Sequence, residues 1–277
     1  MAIKQKIEKI LNREFSSSDT VVRSVLIEDY IARQLREDPK YTDPRKLTRF
    51  EYQAFSQYGE DGILEEIFNR IGDTNRYFVE FGVETGIECN SSLLLFKGWK
   101  GLWIEGNEQS AATIRHSFSD VLKNGALTLL NRFITAENIQ SLFTEAGVPA
   151  EPDLLSIDID RNDYYVWQAI EAFRPRVVCM EYNAIFPPSV DFVVPYAADQ
   201  TWDGSSYFGA SLAALNRLAT SKDYSLVGCS LAGVNAFFVR NDCLNDHFME
   251  PGNLKAHYEP ARYFLYRKEG HPRKIIL

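Results

Sequence analysis

The stretch that decides the fold is Tyr224 to Asn241, YSLVGCSLAGVNAFFVRN. Two runs rich in apolar, β-branched and aromatic residues, YSLVGCS (224–230) and NAFFVRN (235–241), read as strands, and only LAGV separates them. A parallel crossover needs a dozen residues or more, so four residues force an antiparallel hairpin.

Upstream the pattern changes. Five apolar runs follow one another: YFVEF from Tyr77, GLWIEGN (101–107), ALTLL (126–130), DLLSIDID (153–160) and PRVVCMEYN (175–183). Helical spacing separates and follows them, at 91–96, about 109–122, 136–146, 164–173 and about 209–220. Near-continuous apolar strands alternating with helices predict a parallel sheet covered on both faces. Five such units closed by the hairpin give an α/β, Rossmann-like sheet of seven strands with an antiparallel last strand, unlike the all-parallel dinucleotide fold. Ahead of the sheet, SQYGEDGILEEIFNRIG (56–72) predicts a helix ending at Gly72, with a polar group at its start. Earlier still, Ile3, Ile7, Ile10 and Leu11, then Val22, Val25, Leu26, Ile31 and Leu35, recur at helical spacing, and Pro39 to Arg45 reads as a linker. The expected organisation is a helical N-terminal extension (1–50), a sheet domain (51–242) and an aromatic, basic tail (243–277) that packs on the domain or on a partner.

The 277 residues, 45% of them hydrophobic, suffice for a full core. A net charge of −8 argues against nonspecific nucleic-acid binding, which needs a basic face to displace counterions. No apolar run is long enough to span a bilayer, and MAIKQKIEKI carries charges where a signal peptide is apolar, so the cytoplasm is the expected location. Cys89, Cys179, Cys229 and Cys243 lack CxxC spacing, which argues against structural zinc. Among the histidines, His116 reads as solvated on a polar helix, and His257 alone merits consideration for a pocket.

In parallel sheets ligands bind beyond the C-terminal strand ends, where this chain places Glu80 and Gly82, Glu105 and Asn107, Asp158 and Asp160, and Glu181 and Asn183. The first loop, Glu80-Phe81-Gly82-Val83-Glu84-Thr85-Gly86, lacks the three glycines of a dinucleotide fingerprint and the Lys-Ser/Thr pair of a phosphate loop. A cofactor without a pyrophosphate fits better. S-adenosylmethionine needs backbone N–H groups and an acid for its amino-acid end, offered by Glu80, the 82–86 loop and the helix start at Ser91. Its ribose diol needs a carboxylate, which Glu105 offers beside Asn107. Gln57 and Tyr58 are candidates to sit over the cofactor; the alternative is that Ser56 or a neighbour merely caps the helix. Asp158 and Asp160 share one side of a strand end, and with Glu181 they are candidates for general base or, joined by Asn183, for an oxygen-rich site holding Mg²⁺ or a similar divalent metal. The alternative is that Asn162 and Asp163 cap the next helix and the other acids bind substrate hydroxyls or a cation. The proline-rich segment 184–206 overhangs the same edge. Its aromatics Phe186, Phe192, Tyr196 and Trp202 form either a substrate wall or a cluster pinning the loop.

The series SQYGEDG, FVEFGVETGIECNSSLLL, GWKGLWIEGN, DLLSIDIDRND and PRVVCMEYN resembles the FkbM-like branch of class I S-adenosylmethionine-dependent methyltransferases over residues 56–183. FGASLAAL and the hairpin extend the resemblance to about 241. It implies O-methylation of a small molecule or sugar, with Glu80, Gly82 and Gly86 holding the methionine portion and Glu105 the ribose. The chain departs from the pattern at Glu84, where a less charged residue is the simpler choice, and at Arg161, where glycine is frequent. Two other readings stand beside it: a nucleotide- or nucleotide-sugar-binding α/β enzyme, and a non-catalytic module that keeps its pocket and acts through the N-terminal helices. Those helices are also candidates for self-assembly.

Overall fold

The computed structural model describes residues 22–265. The helical pattern expected over 3–14, and the end of the tail, lie outside the described residues. Seven strands form one sheet: β1 (Tyr77–Phe81), β2 (Lys100–Glu105), β3 (Leu127–Asn131), β4 (Leu154–Ile157), β5 (Val177–Glu181), β6 (Tyr224–Cys229) and β7 (Asn235–Arg240). Their spatial order is β3-β2-β1-β4-β5-β7-β6. All pairs from β3 to β5 are parallel, while β7 runs antiparallel to both β5 and β6. The hairpin forced by LAGV is therefore present, and β7 inserts between β5 and β6.

Strand alternation sends neighbouring residues to opposite faces. Val79, Phe81, Leu102, Ile104, Leu155, Ile157, Val178 and Met180 pack in one apolar cluster, and Phe78, Trp103, Leu154, Val177 and Cys179 in another. Both faces are dry, as the unbroken apolar runs require.

The helices are α1 (22–29, continuing as a π turn over Tyr30–Leu35), α2 (Glu60–Ile71), α3 (Ser92–Phe96), α4 (Glu108–Ser117), α5 (Ser119–Lys123), α6 (Ile139–Glu145), α7 (Asp163–Ala169), α8 (Leu212–Ser221) and α9 (Leu254–His257). The single helix expected over 109–122 is two, broken at Phe118, whose ring is buried edge-on against Trp103 at 4.8 Å. The pattern at 164–173 stops at Ala169, and an extended Ile170 ends that helix.

Ile27, Ile31 and Leu35 pack with Tyr41, Leu231, Val234 and Leu265, so this segment lies on the hairpin turn and the tail. A buried ionic knot ties the same parts together. Glu259, fully buried, accepts from Tyr41 Oη at 2.6 Å and pairs with Lys40 at 2.9 Å and Arg262 at 2.9 Å. Among the described residues, no helix is long and apolar enough to cross a membrane.

Candidate active site

A cavity of about 1180 Å³ opens at the C-terminal ends of β1, β2, β4 and β5. This is the switch point where the chain winds to β2 on one side of β1 and to β4 on the other, the place where such sheets bind ligands. Of the candidates named from sequence, Gln57, Tyr58, Glu80, Gly82, Glu105, Asn107, Asp158, Asp160 and Glu181 line it. Gly86, Ser91 and Asn183 are not in its wall.

The loop bearing Gln57 and Tyr58 is shaped by two acids at the start of α2. Asp61 Oδ2 accepts from the backbone N–H of Ala54, Phe55 and Ser56, and Glu60 accepts from those of Tyr58 and Gly59. Ser56 Oγ also accepts from Asp61 N at 3.2 Å, so Ser56 caps the helix start while Gln57 and Tyr58 line the cavity.

Glu80 is 5% exposed and holds the protein's own loop. Its oxygens accept from Asn90 N (2.8 Å), Ser91 N (2.8 Å), Ser91 Oγ and Ser156 Oγ (3.3 Å). Burial raises its pKa, and these donors oppose the rise. Ser91 is thereby a buried partner of Glu80 and Trp103 Nε1 rather than a surface donor. The glycines also serve packing. A Cβ on Gly82 (φ +75°) would lie 1.4 Å from the carbonyl oxygen of Asp158, and one on Gly86 (φ +80°) would meet the Trp103 and Phe118 rings at 2.7 Å. Gly86 is thus kept free of a side chain by the core instead of by a ligand.

Glu105 at the end of β2 is 7% exposed, with its pKa raised by burial. Oε2 accepts from Glu84 N and Oε1 from Asn107 N, both at 2.7 Å. Each carboxylate oxygen keeps a further lone pair. Asn107 doubles as the N-cap of α4, accepting from Ser110 N at 3.1 Å.

Asp158, Asp160 and Glu181 each offer an oxygen within 4.8 Å of the others. Burial first, then the neighbouring carboxylates, pushes Asp158 and Glu181 well above the usual carboxylate range, and Asp160, at φ +63°, is raised too. Asn183 does not join them. It is fully buried, and its Nδ2 donates to the carbonyls of Ser206 (2.9 Å) and Phe208 (3.0 Å), pinning the long loop. Asn162 holds that loop elsewhere, donating to Ala197 O at 2.8 Å. Buried Asp163 accepts from Ile159 N at 2.8 Å and leaves its second oxygen unpaired. The four loop aromatics divide. Trp202 lines the cavity; Phe186 and Phe192 stack at 4.5 Å, and Tyr196 packs on Tyr165 and hydrogen-bonds Glu137. His257 is buried away from the site with Nε2 3.0 Å from Glu250 O, and burial lowers its pKa to about 4.

Several lining residues are not singled out by the sequence. Arg132 and Phe133 follow β3, a strand end that offered the same positional signal as the other four. Asn235 begins β7, and because that strand is reversed its first residue meets the end of β5, opposite Glu181. Tyr263 arrives from the tail, for which no periodicity gives a clue.

No protein-family model matches the chain, and comparison with curated proteins finds no match. Solved structures do show likenesses. The O-methyltransferase from Bacillus cereus in complex with SAH shares 13% identity at a TM-score of 0.46, with 79% of this chain and 97% of that one covered. The glycopeptide N-methyltransferase MtfA complexed with S-adenosyl-L-methionine shares 12% identity at 0.40, covering 65% and 94%. The small RNA methyltransferase HEN1 shares 14% at 0.43, covering 73% of this chain, which spans only 28% of HEN1's length.

Proposed function

We propose that the chain transfers a methyl group from S-adenosylmethionine to a hydroxyl of a small molecule, sugars included. The observation that carries the reading is Glu105. It is a buried acceptor-only group at the end of β2, on the wall of a switch-point cavity, with one backbone donor on each oxygen and one lone pair left on each. That matches the two donors of a ribose diol. A volume near 1180 Å³ suits a nucleoside-sized donor together with an acceptor. The donor, when bound, supplies an electrophilic methyl carbon for in-line attack. The chain's own part is to orient the acceptor, exclude water and take the hydroxyl proton, a task for the carboxylates of Asp160, Asp158 or Glu181.

The oxygens of these three acids are spaced to receive a positive charge. A divalent cation such as Mg²⁺ fits, and would lower the pKa of an acceptor hydroxyl; a cationic group on the acceptor also fits. The FkbM-like resemblance of residues 56–183 is the sequence-level support for a sugar acceptor. Val22, Val25 and Leu26 leave an exposed apolar stripe on α1, which supports self-assembly through that helix, testable by light scattering.

Calorimetry with S-adenosylhomocysteine tests the central claim. Binding is expected, and Glu105→Ala is expected to weaken it at least about 100-fold, as loss of two charge-assisted hydrogen bonds implies. No heat of binding, or an unchanged affinity in the variant, would refute it.

A further inference from the structure

Seven carboxylates line the cavity, among the described residues, against one basic side chain, Arg132. Arg132 follows β3, four strand spacings from β5, or about 19 Å across the sheet. Its guanidinium also faces Glu145 at 3.9 Å. The acceptor side, over β4, β5 and the start of β7, therefore presents Asp158, Asp160 and Glu181 without a lining cation. A phosphate, sulfate or carboxylate on the acceptor would meet these three carboxylates there, while Arg161, which is not in the wall, interacts with Asp203 of the long loop.

A second observation comes from Asn235. It is 4% exposed, lines the same cavity and stands in register opposite Glu181. Its Nδ2 is committed to Glu60 Oε1 at 3.2 Å, which fixes the amide and leaves Oδ1 buried with no partner in the protein. A buried acceptor is costly when unmet. Across the antiparallel pairing from Glu181, this oxygen adds an acceptor on which the protein places no donor. The aromatic side chains of Tyr263, Trp202 and Phe208 line the cavity as well.

Resting on the methyl-donor reading, we propose that the acceptor carries a protonated amine seated against Asp158, Glu181 and Asn235, so that the substrate class is an amino alcohol or amino sugar. An ammonium group offers three N–H donors, one for each of the two carboxylates and one for the Asn235 carbonyl. The aromatic walls stabilise an organic cation through their π faces. A hydrated Mg²⁺ keeps several waters and gains little from such walls. With the amine anchored by these groups, Asp160 is left to face a neighbouring hydroxyl.

The test uses the full chain saturated with S-adenosylhomocysteine, in EDTA. Ethanolamine, glucosamine and kanamycin A are titrated calorimetrically, each beside its N-acetylated form, and MgCl₂ is titrated alone without chelator. Amines are expected to bind and their acetylated forms to lose about tenfold or more in affinity, as are the amines with Glu181→Gln, since each change removes a charge-assisted contact. Asn235→Ala is expected to weaken amine binding, since it removes the Oδ1 acceptor without setting a second carboxylate against Glu60. S-adenosylhomocysteine affinity should be unchanged in both variants, which also certifies their fold. Equal binding of acetylated and free amines overturns the proposal, as does amine binding by none of the probes. So does a Glu181-dependent Mg²⁺ site on which amine binding depends. Failure of S-adenosylhomocysteine to bind the unaltered chain sinks the methyl-donor reading itself, and the seat with it.

Discussion

Asp163 gives a prediction that can be worked from the structure. Its carboxyl is buried at the start of α7, with one oxygen on Ile159 N and the other unpaired, near the acids of the cavity. Burial raises its pKa from the ordinary 3.8 to about 6, against the pull of the Ile159 N–H. The folded state therefore holds this proton at pH values where the unfolded chain has released it. Stability contributed by the protonated form is complete below about pH 4, falls as pH rises to about 6, and stays lower above. A displacement of roughly two pH units corresponds to about 3 kcal/mol at most. Asp163→Asn keeps an oxygen for Ile159 N and removes the charge. Urea unfolding of both proteins in EDTA, at pH 4 and pH 7.5, should show the variant gaining up to about 3 kcal/mol relative to the parent between the two conditions. A difference between variant and parent that does not change with pH would refute the reasoning, since the unpaired oxygen would then not be a buried ionising group.

Gly82→Ala places a methyl against the Asp158 carbonyl and a Cβ at positive φ, and is expected to cost about 2–4 kcal/mol in urea unfolding; a fully stable variant would mean that β1 and β4 do not approach so closely here. Glu80→Gln turns an amide N–H₂ toward the Asn90 and Ser91 donors, with an expected loss of about 2–3 kcal/mol in the absence of any ligand. Should that variant be as stable as the parent but fail to bind S-adenosylhomocysteine, Glu80 would be a ligand-holding residue and its loop-anchoring role would be minor.

Much of the site was legible because strand ends in a parallel sheet share one edge. Once β1, β2, β4 and β5 are located by their apolar runs, Glu80, Glu105, Asp158, Asp160 and Glu181 must converge. Where a side chain goes after the last strand residue is not so constrained. Asn183 lies two residues past Glu181, yet the chain turns there and its amide is taken up by the carbonyls of Ser206 and Phe208. Gly86 and Ser91 read naturally as parts of a cofactor loop, but close packing of Trp103 and Phe118 and the reach of Glu80 claim them for the core.

By itself the sequence determined the layered α/β sheet, its hairpin closure and the acidic edge, because strand period and connection length are local properties of the chain. Only the tertiary structure decided what faces that edge from afar. Asn235 arrives because β7 is reversed and inserted beside β5, and Tyr263 because the knot around Glu259 binds the tail to the segment at 40–46. Such contacts join residues more than 50 positions apart through burial and charge pairing, for which no spacing rule along the chain exists.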